Sequence, residues 1–194
     1  SYYHVDFSNR LLSISPTPVI TSIIGGAAIL ENVGSVTTDG ADVAATLLFG
    51  PHFSIYDAIS YNKSVYNDNY QSGSSTVLTS GKNVPGTPAW LNKSVIAANY
   101  GPFDAQLSGD YVGKRYATYT NDLSVKSYFQ LNLEAGYRIP LPARAYLKDI
   151  YIQGNITNLN NQKGVSTVVV GAASGTYNTF PIPPRMLSLI HISE

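Results

Sequence analysis

Cysteine is missing altogether from the 194 residues, methionine and tryptophan occur once each, and charge is scarce. Without cysteine there is no disulfide framework and no thiolate-ligated zinc. Lys+Arg and Asp+Glu number 12 each, and zero net charge removes the basic face that nucleic-acid binding needs. Charged residues make up 12% of the chain, about half the share found in soluble domains. A soluble surface that poor in charge would be sticky. No uninterrupted apolar run approaches the roughly 18 residues of a membrane-crossing helix. His4, His52 and His191 are scattered, none at ligand spacing from another, and no motif frames a serine nucleophile beside them. Gly25-Gly26 lacks the strand–loop–helix setting of a phosphate cradle. No catalytic residue, metal site or cofactor is expected.

What the chain does have is alternation. Phe103–Tyr111, Phe129–Tyr137 and Ile150–Thr157 each alternate apolar and polar residues. A period of two puts Phe, Leu, Ala and Ile on one face of a strand and Asp, Gln, Asn and Glu on the other. The runs approach the length a tilted strand needs to cross a bilayer. With no helix long enough to span, only a closed sheet satisfies its backbone groups in lipid. The expectation is an all-β, antiparallel up-and-down meander of about eight long strands, part of a transmembrane β-barrel.

The strands are expected at Tyr2–Ser15, Ile29–Phe49, Phe53–Asn67, Ala89–Tyr100, Phe103–Thr118, Ser124–Ile139, Tyr146–Asn158 and Pro184–Ile192. Gly50-Pro51-His52, Gly101-Pro102 and Pro140–Arg144 read as short turns on one rim. The segments 16–28, 68–88, 119–123 and 160–183 read as longer loops on the other, the asymmetry of outer-membrane barrels. Val165–Ala173 is apolar but short, consistent with a hairpin arm inside an external loop. Phe49, Phe53, Tyr100, Phe103, Tyr137 and Tyr146 are expected to form the aromatic girdle near the short turns, and Tyr116, Tyr119 and Tyr128 the girdle opposite. Asp104, Asp110, Glu134 and Arg138 are expected to face an enclosed interior, whereas Asp57 interrupts the apolar face of its strand.

Several segments carry a family resemblance. Asp6-Phe7-Ser8-Asn9-Arg10-Leu11-Leu12 resembles a strand opening of TonB-dependent outer-membrane receptors, and Asn32–Asp42 is similar to a recurrent Asn-x-Gly segment late in their barrels. Val84-Pro85-Gly86-Thr87-Pro88 resembles their loop-to-strand step, and Gly113-Lys114-Arg115-Tyr116 a strand ending before an external loop. Asn155-Ile156-Thr157-Asn158-Leu159 resembles the penultimate-strand signature, and Pro183-Pro184-Arg185-Met186 the opening of the last strand. The order and spacing match the end of such a barrel across nearly the whole chain.

The resemblance implies the bacterial outer membrane, with lipid around the barrel. It also implies a plug domain and a TonB energy-coupling complex acting through a missing N-terminal part. The cargo would be a scarce solute: siderophore iron, cobalamin, haem or oligosaccharide. Those barrels have about 22 strands, so the chain is expected to be a fragment, with residues 1–186 the C-terminal part of the barrel. Residues 187–194 read like a translated sequencing-adapter tail and are expected to be non-native. The loop tyrosines Tyr66, Tyr70, Tyr119 and Tyr177 are the candidate ligand contacts, because a ring can stack on a planar or sugar-like solute. Two other readings compete: a self-contained eight-stranded structural or adhesive barrel, and a soluble β-sandwich whose apolar face packs on a second sheet.

Overall fold

The computed structural model describes residues 1–8, 11–14, 29–32, 34–72, 75–142, 148–170 and 177–193. In chain order the strands are β1 (Tyr2–Phe7), β2 (Leu11–Ile14), β3 (Ile29–Asn32), β4 (Val36–Phe49), β5 (Phe53–Tyr66), β6 (Tyr70–Ser72), β7 (Ser75–Val77) and β8 (Trp90–Tyr100). They continue with β9 (Phe103–Val112), β10 (Arg115–Tyr116), β11 (Ser124–Val125), β12 (Tyr128–Pro140), β13 (Asp149–Thr157), β14 (Val165–Val170), β15 (Tyr177–Pro181) and β16 (Met186–Ser193). Eight of them form one antiparallel sheet in the order β1-β4-β5-β8-β9-β12-β13-β16, and the other eight form four small ladders. There is no helix among the described residues. β1 and β16 are the two ends of the large sheet and do not pair, so the sheet stays open.

The eight long strands match the eight expected, and the differences lie at the loop end. The expected strand Tyr2–Ser15 ends at Phe7, and Leu11–Ile14 instead pairs with Ile29–Asn32 in a ladder of its own. Phe103–Thr118 leaves the sheet after Val112. A Cβ on Gly113 would meet the Trp90 carbonyl oxygen at 2.9 Å, so the chain passes there without a side chain and turns into β10. The loop 68–88 contains the hairpin β6–β7. Val165–Val170 is a hairpin arm as expected, paired with Tyr177–Pro181. The short turns hold Gly50 at φ 66° and Gly101 at φ 58°, a left-handed geometry that favours glycine.

Register carries the alternation across strands. Leu47 lies opposite Ile55, Ile55 opposite Ile96, and Ile96 opposite Leu107. Leu107 lies opposite Leu133, and Leu133 opposite Ile156. This is the apolar face, and no helix or second sheet covers it among the described residues. Val43 is 70% exposed and Leu47 57%. A soluble sandwich buries these side chains, at about 1.5–3 kcal/mol each. This sheet does not.

Two aromatic rows bound the apolar face. Phe49, Phe53, Tyr100, Phe103 and Tyr137 stand near the turns, and Tyr61, Trp90, Tyr111 and Phe129 near the loops. From Phe53 to Tyr61 or from Trp90 to Tyr100 is about 26–33 Å along the strand, or about 20–25 Å at a tilt near 40°. Beyond the loop-side row the same face turns polar, where His4 Nδ1 lies 2.7 Å from Asp39 Oδ1 and Nε2 3.2 Å from Asp6 Oδ2.

The turn-side row matches the expected residues, Tyr146 lying outside the described ones. The loop-side row corrects the expected one. Tyr119 is buried in the loops, and Tyr128 stands on the polar face because its neighbour Phe129 takes the apolar one. Tyr116 lies beyond the sheet in β10. Met186–Ser193 completes the sheet against β13, but Ile190 and Ile192 fall on the polar face opposite Gln153 and Tyr151, so this strand does not keep the alternation.

Candidate functional site

The core of the molecule sits on the loop rim. Val36, Tyr66, Tyr70, Val77, Val84 and Tyr119 form one buried cluster, with Val170 of the β14–β15 hairpin packed against it. Three of the four candidate tyrosines therefore meet in one place. The Tyr66 and Tyr119 ring centroids are 6.1 Å apart, those of Tyr70 and Tyr119 5.7 Å apart and near-perpendicular. That edge-to-face geometry suits the ring quadrupoles. Tyr66 is 1% exposed, Tyr70 2% and Tyr119 5%, so their rings point into the loop body.

Polar clasps lock the same body. The Asn121 side chain donates from Nδ2 to the Asn83 carbonyl at 2.9 Å and accepts from the Asn83 N–H at 2.7 Å. An amide side chain thereby replaces a strand neighbour. Asp122 accepts the Thr118 hydroxyl, and the Thr120 hydroxyl at 2.7 Å; these bonds, Thr118 foremost, hold its carboxyl below the ordinary value of 3.8. Asp68 is lowered in the same way, first by the Ser35 hydroxyl at 2.6 Å.

Arg115 is 5% exposed and donates to the carbonyls of Ser166 and Val165 at 2.7 Å each, while its guanidinium lies 5.7 Å from the Tyr128 ring centroid. The β14–β15 hairpin is thus tied down at both ends, by Arg115 and by Val170.

Tyr177 is different, at 42% exposed. It lines an open cleft of about 490 Å³ between the 123–128 segment and the β14–β15 hairpin, together with Tyr128, Lys126, Lys163, Gln162 and Thr179. No ion pair is formed by Lys126 or Lys163 among the described residues. The residues are two rings, two cations and several hydroxyl or amide groups around a space the size of a small ligand.

Behind the rim, the polar face of the sheet carries a hydrogen-bonded lattice. Lys93 Nζ is 3.0 Å from Asp110 Oδ1, and Asn132 reaches Asp110 Oδ2 at 3.3 Å. The Tyr151 hydroxyl donates to Asp104 at 2.9 Å, and Arg138 contacts both oxygens of Asp149 at 3.0 and 3.1 Å. Asp104, Asp110, Glu134 and Arg138 share this face as their alternation implies. No group of three His, Cys, Asp or Glu side chains is placed to hold a metal among the described residues.

Sequence reasoning missed Arg115, Asn121 and Asn158 as organisers of the rim. Asn158 is wholly buried at φ 56°. It donates to the carbonyls of Gln162 and Pro183 and accepts the Gln162 N–H. Its place in the Asn-Ile-Thr-Asn-Leu segment was visible, but its partners Gln162 and Pro183 were not.

The chain matches a protein-family profile described as TonB dependent receptor-like, beta-barrel over residues 1–159. Among solved structures it is similar to the ferric yersiniabactin uptake receptor FyuA from Yersinia pestis, with a TM-score of 0.66 and 20% identity over 86% of this chain and 25% of that one. It is similar also to the siderophore receptor PiuA from Acinetobacter baumannii, with a TM-score of 0.68 and 16% identity over 98% and 24% of the two chains. The ferric preacinetobactin receptor BauA from Acinetobacter baumannii gives a TM-score of 0.66 and 16% identity over 99% and 26%. The chain spans about a quarter of the length of these receptors. No curated protein sequence matches it.

Proposed function

The chain belongs to the TonB-dependent receptor β-barrel family, whose members are outer-membrane barrels, and from that premise we propose that it is the late part of a receptor barrel for uptake of a scarce solute. In this reading lipid faces the apolar side, a plug domain contributed by the rest of the protein fills the interior, and the TonB energy-coupling complex acts through that plug. The cargo is siderophore iron, cobalamin, haem or an oligosaccharide. One observation carries the reading: an uncovered apolar face lies between two aromatic rows, backed by a polar face and topped at one rim by a welded loop body. The open sheet supports a portion of a larger wall over a self-contained eight-stranded barrel.

The four loop tyrosines divide by burial. Tyr177 contacts the solute from the cleft wall, and Tyr66, Tyr70 and Tyr119 hold the rim in the shape that forms the cleft. The test is uptake of labelled solutes by cells carrying the full-length receptor. Tyr177→Ala weakens capture by about 0.5–1.5 kcal/mol, whereas replacing all four tyrosines by alanine abolishes uptake. Full uptake by the quadruple variant removes the rim from the mechanism. Uptake that persists without the energy-coupling complex removes the TonB-dependent reading itself.

A further inference from the structure

On β4, β5, β8, β9 and β12 the apolar face is interrupted at one place between its aromatic rows. Asp57 of β5, midway between Phe53 and Tyr61, meets Asn92 and Ser94 of β8 in a polar knot. Asn92 Nδ2 spends its two N–H groups on Asp57 Oδ1 at 2.9 Å and on the Ala58 carbonyl at 3.0 Å. Ser94 Oγ has a single proton and lies 2.6 Å from Asp57 Oδ1 and 3.1 Å from Asn92 Oδ1. All three side-chain protons of the knot are therefore used inside it. Asp57 Oδ2 receives no hydrogen bond from any described residue. Ala45, exposed, stands opposite Asp57 on β4, whereas Gly109, opposite Ser94 on β9, is overlain by the Phe129 ring, whose Cζ is 2.8 Å from where a Gly109 Cβ would be.

We infer that this notch is a lateral contact for a membrane-embedded protein segment that sets a lysine or arginine at mid-bilayer depth against Asp57. The inference rests on the membrane orientation proposed above. At that depth there is no water to solvate a carboxylate, and acyl chains offer no donor. Lipid headgroups lie beyond the aromatic rows. The same patch of a second copy brings acceptors against acceptors, because its own protons are spent. A cation supplies both the missing donor and the opposite charge, the arrangement in which intramembrane ionisable groups persist. Ala45 beside Asp57 leaves the carboxylate open to a partner backbone on the β4 side.

The experiment uses the full-length protein in its native membrane, with a photo-crosslinking residue in place of Ala45 and, as a control on the same face, in place of Leu133. The expected result at Ala45 is a protein adduct whose digest maps to an apolar segment containing lysine or arginine. That adduct is lost in Asp57→Leu and in the partner's Lys/Arg→Leu variant, and kept in Asp57→Glu. The control labels lipid throughout, which reports that each variant is inserted. Lipid labelling alone at both positions overturns the inference and leaves the orientation standing. An adduct to a second copy of this chain, or one indifferent to Asp57→Leu, overturns it too. A control that labels no lipid removes the orientation and, with it, the proposed function.

Discussion

Two residues show how closely this sheet is fitted on its polar side. Gly136 lies under the Tyr151 ring, and a Cβ there would fall inside the phenol. The ring crosses it to reach Asp104, while Arg138 sits 5.3 Å from its centroid. Gly136→Ala must push Tyr151 off its carboxylate, and overpacking of this kind costs about 1–3 kcal/mol. Tyr151→Phe keeps the packing and loses only the hydrogen bond to the Asp104 carboxylate, about 1.5–3 kcal/mol, a loss that Gly136→Ala shares on top of its overpacking. Denaturant unfolding of the full-length barrel in detergent ranks the two, and an order with Tyr151→Phe the worse refutes the steric account. Asp122 governs a second residue-scale effect. Its carboxyl is lowered, first by the Thr118 hydroxyl, so its contribution to the 117–123 loop is fully present above 3.8 and is lost as pH falls through the lower folded value. The protection factor of the Leu123 amide, the intrinsic exchange rate divided by the observed one at the same pH, should be flat from neutral pH to about that point and then fall. Asp122→Asn should abolish the dependence.

At the scale of elements, the β14–β15 hairpin depends on Arg115. Arg115→Met removes two charge-assisted hydrogen bonds to the Val165 and Ser166 carbonyls, each worth about 1.5–3 kcal/mol. Amide exchange in 165–170 should quicken about tenfold or more while exchange in β9 and β12 stays put; equal quickening everywhere points to global unfolding instead. The contrast between hairpin and sheet also explains what was legible beforehand. Phe53–Tyr66 lies within a residue of its expected bounds because Gly50-Pro51 fixes one end and a period of two, broken at Asp57, runs from it. The faces followed from the same period. At the loop end no period operates. Whether 115–116 pairs with 124–125 is decided by partners such as Ser166, far along the chain, and Gly113 turns a continuing alternation out of the sheet. Of the four loop tyrosines, Tyr66, Tyr70 and Tyr119 meet in one cluster and Tyr177 lies apart. The burial of those three was hidden, because Val36, Val77 and Val84 come from three separate segments to enclose them.

At the scale of the molecule, the decisive feature is that β1 and β16 each leave one side unpaired. Every backbone group left unsatisfied in hydrocarbon costs several kcal/mol. The 194-residue chain by itself should therefore aggregate or curl into a non-native form in detergent, and should show no heat-modifiable monomer on electrophoresis. Cooperative refolding to such a monomer contradicts this. The Asn83–Asn121 clasp and the grip of Arg115 on its hairpin have a consequence for kinetics. A mouth assembled before anything arrives forfeits little freedom on capture. In the receptor proposed above, differences in how tightly solutes are held should then show up in how long each one stays.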